Sequence, residues 1–141
     1  MAYKIYFDVN ALLDLTLLRN NHADIETVIK EVEKGSLRGF VCGATIHTIS
    51  YFLIKKYDLE KTKRILLNLL SFISIVDLPK EEIQKALFIN FKDIEDAIQV
   101  QTALTFKMDY FLTSDKQLIK ASSETMPILT ATSLLKRISI N

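Results

Sequence analysis

Four aspartates in three separated segments are the residues of this chain best suited to chemistry. They are Asp8 at the end of an aromatic and β-branched opening run, Asp93 with Asp96 at the start of a helical stretch, and Asp115 in Thr113-Ser114-Asp115. Carboxylates gathered at one point repel one another unless a hard cation neutralises them, so their convergence predicts a Mg²⁺ or Mn²⁺ site. Such a site suits phosphodiester hydrolysis, in which the ion activates water and stabilises charge on the phosphoryl oxygens. Asn10, Thr113 and Ser114 are the polar neighbours able to orient a water or a phosphate by hydrogen bonds.

Strand ends position these acids. Tyr3 to Phe7 reads as a strand that stops at Asp8, and Leu12, Leu13, Leu17 and Leu18 follow at helical spacing. Asn20-Asn21-His22 breaks that helix. Asp24 is suited to cap the next one, with Ile25, Val28, Ile29 and Val32 on its core face and a stop at Gly35. Phe40 to Cys42 is a short strand. Thr45 to Tyr57 and a second helix capped by Asp58 form a hairpin through Ile46, Ile49, Phe52, Leu53, Ile65, Leu66, Leu69 and Leu70.

A strand at 72–76, a helix at 80–88 beginning near Pro79, and a helix at 93–107 follow. Tyr110 to Leu112 is the clearest late strand, succeeded by a short helix near 116–121, a strand at Ile128-Leu129 and a terminal helix capped by Thr130 or Thr132. Strands separated by helices predict a three-layer α/β/α sandwich with a central parallel sheet. Right-handed crossovers put every strand-to-helix loop on one edge, so Asp8 and Asp115 share a rim. Within the helix from Asp93, residues three apart point to nearly the same side, so Asp93 and Asp96 face one ligand, with Glu95 turned roughly 100° away. The opposite stripe of Ile94, Ala97, Ile98, Ala103 and Leu104 should fix that helix on the sheet. Each acid also has a purely structural use as a helix cap, but three caps meeting on one sheet edge are better explained as a site.

At 141 residues the chain reads as a single domain, with 49% hydrophobic residues and only three glycines and two prolines. The net charge of +1 creates no global field that would announce nucleic acid or membrane binding, so a charged partner must be held by a local patch. The lone Cys42 forms no intrachain disulfide, and the opening residues lack a charged-then-apolar leader, which predicts a cytoplasmic location. The apolar run from Ile65 to Val76 is too short and too interrupted for a membrane helix. Absence of a glycine-rich phosphate loop excludes nucleotide kinases and dinucleotide binders, and absence of a Gly-x-Ser-x-Gly elbow or a Cys and His pair excludes covalent hydrolases. A receiver-like phosphoacceptor is excluded because neither inner strand supplies the acceptor aspartate.

Asp8-Val9-Asn10-Ala11-Leu12-Leu13-Asp14, Lys92-Asp93-Ile94-Glu95-Asp96-Ala97-Ile98-Gln99 and Thr113-Ser114-Asp115-Lys116 resemble the PIN-domain family of metal-dependent ribonucleases. The likeness is closest to small stand-alone bacterial members related to the VapC toxins, and it spans nearly the whole of residues 1–141. It implies a Mg²⁺- or Mn²⁺-dependent endoribonuclease with Asp8, Asp96 and Asp115 as metal ligands, Asp93 as a neighbouring acid, and Asn10 and Thr113 as helpers. It further implies an RNA substrate, a homodimer and a small antitoxin protein covering the site. The alternative within the same fold is an impaired module that binds RNA or protein without cutting.

One departure bears on that choice. The family's second acid, a glutamate in the helix after the second strand, corresponds to a place near Thr48, and no Asp or Glu occurs between Glu33 and Asp58. A hydroxyl there brings no charge, so metal binding should be weaker unless Asp93 compensates. His47 reads as structural because zinc-spaced partners are lacking, and His22 reads as exposed. Asp14 has at most a supporting role. Lys55, Lys56, Lys61, Lys63 and Arg64, with Lys4, Arg19 and Lys92 if the fold gathers them, are the cations available to an RNA backbone. Tyr51, Phe52 and Tyr57 read as core or dimer contacts before base-stacking surfaces.

Overall fold

A computed structural model describes residues 2–20 and 22–138. The opening run forms β1 (Tyr3–Phe7), whose alternation sends Ile5 and Phe7 to one side and Tyr6 to the other, all fully buried. A strand apolar on both faces must sit inside a sheet covered on both sides. Accordingly β1 is the central strand of five, in the order β3-β2-β1-β4-β5 and parallel throughout. Its neighbours are β2 (Leu37–Val41) and β4 (Tyr110–Leu112), with β3 (Ile73–Ile75) and β5 (Ile128–Leu129) at the edges. The chain adds β2 and β3 on one side of β1 and then returns to add β4 and β5 on the other. That reversal makes the C-terminal ends of β1 and β4 a topological switch point, where open sheets leave a crevice.

Among the described residues eight helices flank the sheet: α1 (Val9–Thr16), α2 (His22–Lys34), α3 (Gly43–Lys56), α4 (Leu59–Leu70), α5 (Lys80–Ala86), α6 (Ile94–Thr105), α7 (Lys116–Ile119) and α8 (Ala131–Arg137). The face bearing Ile5, Phe7, Val41 and Leu112 meets Leu12, Ile25, Val28, Ile49, Leu53, Leu69 and Leu134 from α1 to α4 and α8. The face bearing Tyr6, Phe40 and Phe111 meets Val100 and Ala103 of α6 and Leu118 of α7. On that second face the Tyr6 and Phe111 rings stack with centroids 5.1 Å apart, worth about 0.5–1.5 kcal/mol beyond their burial. The expected α/β/α sandwich is the observed one, and among the described residues no helix is long and apolar enough to cross a membrane.

Several expected boundaries shift for local reasons. β2 begins at Leu37, which pairs with Tyr3, and ends at Val41, so Cys42 is the N-cap of α3 and not a strand residue. Within β2 a Cβ at Gly39 would lie 3.1 Å from the Phe7 ring and 3.2 Å from Val32, which explains a glycine in an inner strand. α2 starts at His22, leaving Asp24 in its first turn and not at its cap; Asn21 of the predicted turn lies outside the described residues. Gly35 ends α2 at φ 85°, as its placement predicts. Leu18, expected on the core face of α1, lies beyond the helix end in a left-handed conformation and is exposed. Ile94, expected in the apolar stripe of α6, is the first residue of that helix and is exposed as well. Phe52 and Leu70 of the hairpin are 37% and 38% exposed, and Ile49, Leu53 and Leu69 carry its packing.

Candidate active site

The pairing of β1 with β4 builds the site. Phe7 pairs with Leu112, and the Asp8 amide continues that ladder by donating to the Leu112 carbonyl at 2.9 Å. Asp8 and Thr113 therefore emerge side by side from adjacent strands. Asp8 occupies the N-cap position of α1 yet makes no side-chain cap bond. Instead its Oδ2 accepts from Thr113 Oγ1 at 2.7 Å and from Asn10 Nδ2 at 3.1 Å. Its Oδ1 is buried and has no partner, in a residue that is 1% exposed. Burial raises the Asp8 carboxyl above the usual carboxylate range, opposed in part by the Thr113 and Asn10 hydrogen bonds.

Asp96 comes in from the opposite layer on the first turn of α6, half-buried. Its carboxyl is pushed up to about 6, first by burial and then by the charges of Asp93, Asp8, Asp115 and Glu95. The charges of Asp8, Asp93 and Asp115 thus all reach Asp96. Thr113 ties two of the segments together, because its Oγ1 donates to Asp8 and accepts from the Asp115 amide at 3.0 Å. Asp93 and Asp115 also serve as caps, with one oxygen of each accepting from the Glu95 amide at 2.8 Å and the Gln117 amide at 2.9 Å. The capping use and the clustering coexist. A cleft of about 750 Å³ opens beside Asp93, Asp96 and Asp115, while Asp8 lies deeper.

The donor set fits a hard divalent cation: oxygen ligands only, mutual repulsion among them, and a buried carboxylate oxygen left unpartnered. Among the described residues no three carboxylate, imidazole or thiol groups already stand within gripping distance of one point. Mg²⁺ usually keeps several waters and binds through one or two carboxylates, so a sparser ligand set is compatible with it.

Other sequence-selected residues fall elsewhere. Ser114 lines a smaller pocket of about 170 Å³ with Lys116, Thr130 and Thr132. Asp14 is buried and faces Arg19 Nη1 at 3.7 Å. Thr48 donates to the Ala44 carbonyl of its own helix at 3.2 Å. His47 is exposed, and His22 is half-buried, with Nδ1 2.7 Å from the Arg19 carbonyl. Of the cations, Lys56 donates to the Leu17 carbonyl at 2.8 Å, Lys61 lies over the Tyr57 ring, and Lys4 sits at the start of β1 on the far edge of the sheet. Of those cations Lys92 lines the cleft, joined there by Lys120, whose position in the short stretch after α7 carries no sequence signal.

Glu95, out of phase with Asp96 on the helix, is a further acid of this site. Its carboxyl is raised by burial and by the charges of Asp93 and Asp8. Gln99, one turn on and 3% exposed, donates from Nε2 to Glu95 Oε1 at 3.4 Å. The available signal was Gln99, a large polar residue between Ile98 and Val100 in the apolar stretch of α6.

Residues 4–117 match the model of a family described as PIN domain. No curated protein matches the chain. Among solved structures, the crystal structure of PAE2754 from Pyrobaculum aerophilum superposes with a TM-score of 0.68 over 99% of this chain and 98% of that one. At 22% identity this likeness concerns the fold.

Proposed function

The chain belongs to the PIN-domain family, a nuclease-type fold, and from that premise we propose that it hydrolyses RNA phosphodiester bonds using Mg²⁺ or Mn²⁺ held by Asp8, Asp96 and Asp115. The observation that carries this reading is the buried, unpartnered Oδ1 of Asp8 beside an Asp96 carboxyl driven up to about 6 by its acidic neighbours. A carboxylate cluster of that kind is unfavourable by itself and becomes favourable around a cation.

The side chains divide the work. Thr113 and Asn10 engage Oδ2 of Asp8 and so fix the direction in which Oδ1 is presented. Asp93 supplies a fourth negative charge in place of the missing acid at Thr48, and the charge of Glu95 also acts on Asp96. When bound, the ion supplies a water acidic enough to ionise near neutral pH and positive charge for the phosphoryl oxygens. Hydrolysis adds the water oxygen to phosphorus and breaks the bond to the leaving ribose oxygen.

The resemblance to VapC-like proteins extends the proposal to a toxin-antitoxin pair, with a small antitoxin as partner, and to a homodimer. Exposed Tyr51, Ile54, Leu59 and Leu67 on the α3–α4 hairpin support the dimer. A second reading, a PIN-fold module that holds RNA or protein without cutting, is favoured by Thr48 standing where an acid is expected. Incubation of the purified chain with mixed RNA separates the two. Cleavage that needs Mn²⁺ or Mg²⁺ and disappears in Asp96→Asn supports the nuclease; cleavage that survives in excess chelator or in the variant contradicts it.

A further inference from the structure

Beside Asp96 on α6 stands a pair of side chains that neither the cleft nor the core accounts for. Residues 95, 99 and 103 follow one another at four-residue spacing and so form a single line along the helix. Ala103 belongs to the buried cluster that contains Tyr6 of β1, and Gln99 is 3% exposed. The line thus has its inner end against the sheet and its outer end at Glu95, which is exposed in the first turn of α6 and within the field of Asp8.

Gln99 is the anomaly of that line. Its Nε2 donates to Glu95 Oε1 at 3.4 Å, while its own Oε1 is buried and has no partner. A carboxylate only accepts, so the amide nitrogen must face Glu95, and turning the amide over cannot relieve the unpaired oxygen. Such a buried acceptor costs about 1–3 kcal/mol. A methionine of similar length would fill the same space without that cost. The bond is longer than the about 2.7–2.9 Å of a tight charge-assisted pair, so it aims the Glu95 carboxylate without immobilising it.

Glu95 is also distinct from its chain neighbour. Asp93, Asp96 and Asp115 line the cleft and Glu95 does not. The charges acting on Glu95 are those of Asp93 and Asp8, whereas Asp96 takes that of Asp115 as well. With roughly 100° between consecutive residues on a helix, the two acids address Asp8 from different directions, Asp96 from the cleft and Glu95 from the buried line.

Resting on the cation site proposed above, we propose that Gln99 is a positioning residue and that Glu95, aimed by its amide, is a further ligand of the ion held at Asp8. A buried amide with an unpaired oxygen is then the cost of directing a carboxylate at the outer end of its own helix line. The assignment gives the site a carboxylate outside the cleft, while Thr48 commits its hydroxyl to the Ala44 carbonyl.

Calorimetric titration of Mn²⁺ into the wild type, Glu95→Gln, Gln99→Met and the double variant tests this, with melts of each metal-free chain alongside. Glu95→Gln preserves shape at an exposed position and removes only charge. Each single variant should bind Mn²⁺ at least ~10-fold more weakly, the loss expected when a ligand or its supporting partner is removed. The double variant should be no weaker than Glu95→Gln, because Gln99 acts only through Glu95, whereas independent losses would multiply. Metal-free Gln99→Met should melt at or above the wild-type temperature, since it removes an unpaired buried oxygen. If Gln99→Met does not fold, Gln99→Asn, one methylene too short to reach Glu95, takes its place.

A Gln99→Met chain that melts lower yet binds Mn²⁺ like wild type would make Gln99 structural and overturn the proposal. Wild-type affinity in Glu95→Gln, or losses that multiply in the double variant, would overturn it too. These results leave the nuclease reading intact. Variants that weaken Mn²⁺ as expected in a chain that cuts no RNA would support the ligand assignment and sink the nuclease instead, and a wild type that binds no Mn²⁺ would overturn both.

Discussion

The C-terminal edge of the sheet carries acids at both β1 and β3, and they behave oppositely. Asp77, two residues past β3, is exposed, and its Oδ1 accepts from the Gly43 amide at 2.8 Å, closing the start of α3. A side chain at Gly43 would come within 3.3 Å of the other Asp77 oxygen, so glycine and acid fit together as a cap. Asp8, one residue past β1, is buried, makes no side-chain cap bond, and leaves one oxygen unpartnered. A carboxylate at a strand end is therefore not in itself a site. What separates the two is the switch point: β1 has the returning β4 beside it, which brings Thr113 and Asp115, while α6 brings Asp93 and Asp96.

The sharpest way to break this contrast is to neutralise each acid in turn. Asp8→Asn or Asp96→Asn should lower RNA cleavage by more than the ~10–100-fold that loss of a supporting partner costs a metal site, while Asp77→Asn should cut like wild type. Quantified cleavage of one RNA under Mn²⁺ decides it, and equal losses at Asp8 and Asp77 would erase the distinction. Next in size, Thr113→Val removes the hydroxyl that steers Asp8 and anchors the Asp115 amide. Metal affinity should fall ~10–100-fold with the fold retained, as read by calorimetry and circular dichroism.

Acidity gives a third handle. The Asp96 carboxyl at about 6 lies above its ordinary value of 3.8, so the folded chain holds that proton more tightly than the unfolded chain. Folding takes up a proton between those two values, and the metal-free protein should lose stability as pH rises from about 4 to about 6. Mn²⁺ should raise Tm most above pH about 6, where the carboxylate is charged, and Asp96→Asn should weaken both trends, leaving the part that the raised Asp8 and Glu95 carboxyls contribute. Melts at a series of pH values with and without Mn²⁺ check this. The smallest effect belongs to the cap: Asp77→Ala should cost about 0.5–2 kcal/mol in denaturant unfolding and leave metal binding alone.

Sequence pattern exposed the part of this contrast that depends on chain order. The strand ending at Asp8, the strand ending before Thr113, and the parallel sheet follow from alternation and from helices between strands, and the acids on one rim follow from crossover handedness. The Asp58 and Thr130 caps were legible for the same local reason, and both are observed. What pattern does not carry is direction at helix ends and beyond them. Leu18 and Ile94 match an apolar period but lie past the surface their helices cover. Glu95 is out of phase with Asp96, yet its carboxyl is raised by burial and by the charges of Asp93 and Asp8. Lys120 and Gln117 join Asn90 and Lys92 only through the docking of α7 beside the α5–α6 connection, a long-range packing outcome that no local spacing encodes.

Calorimetric titration of Mn²⁺ into the metal-free chain and into Asp8→Asn tests the shared-cation claim most directly. The account predicts saturable binding by the wild type, lost or weakened at least ~10-fold in the variant, with Asp77→Asn indistinguishable from wild type. Identical isotherms for wild type and Asp8→Asn, or no heat of binding in either, would contradict it.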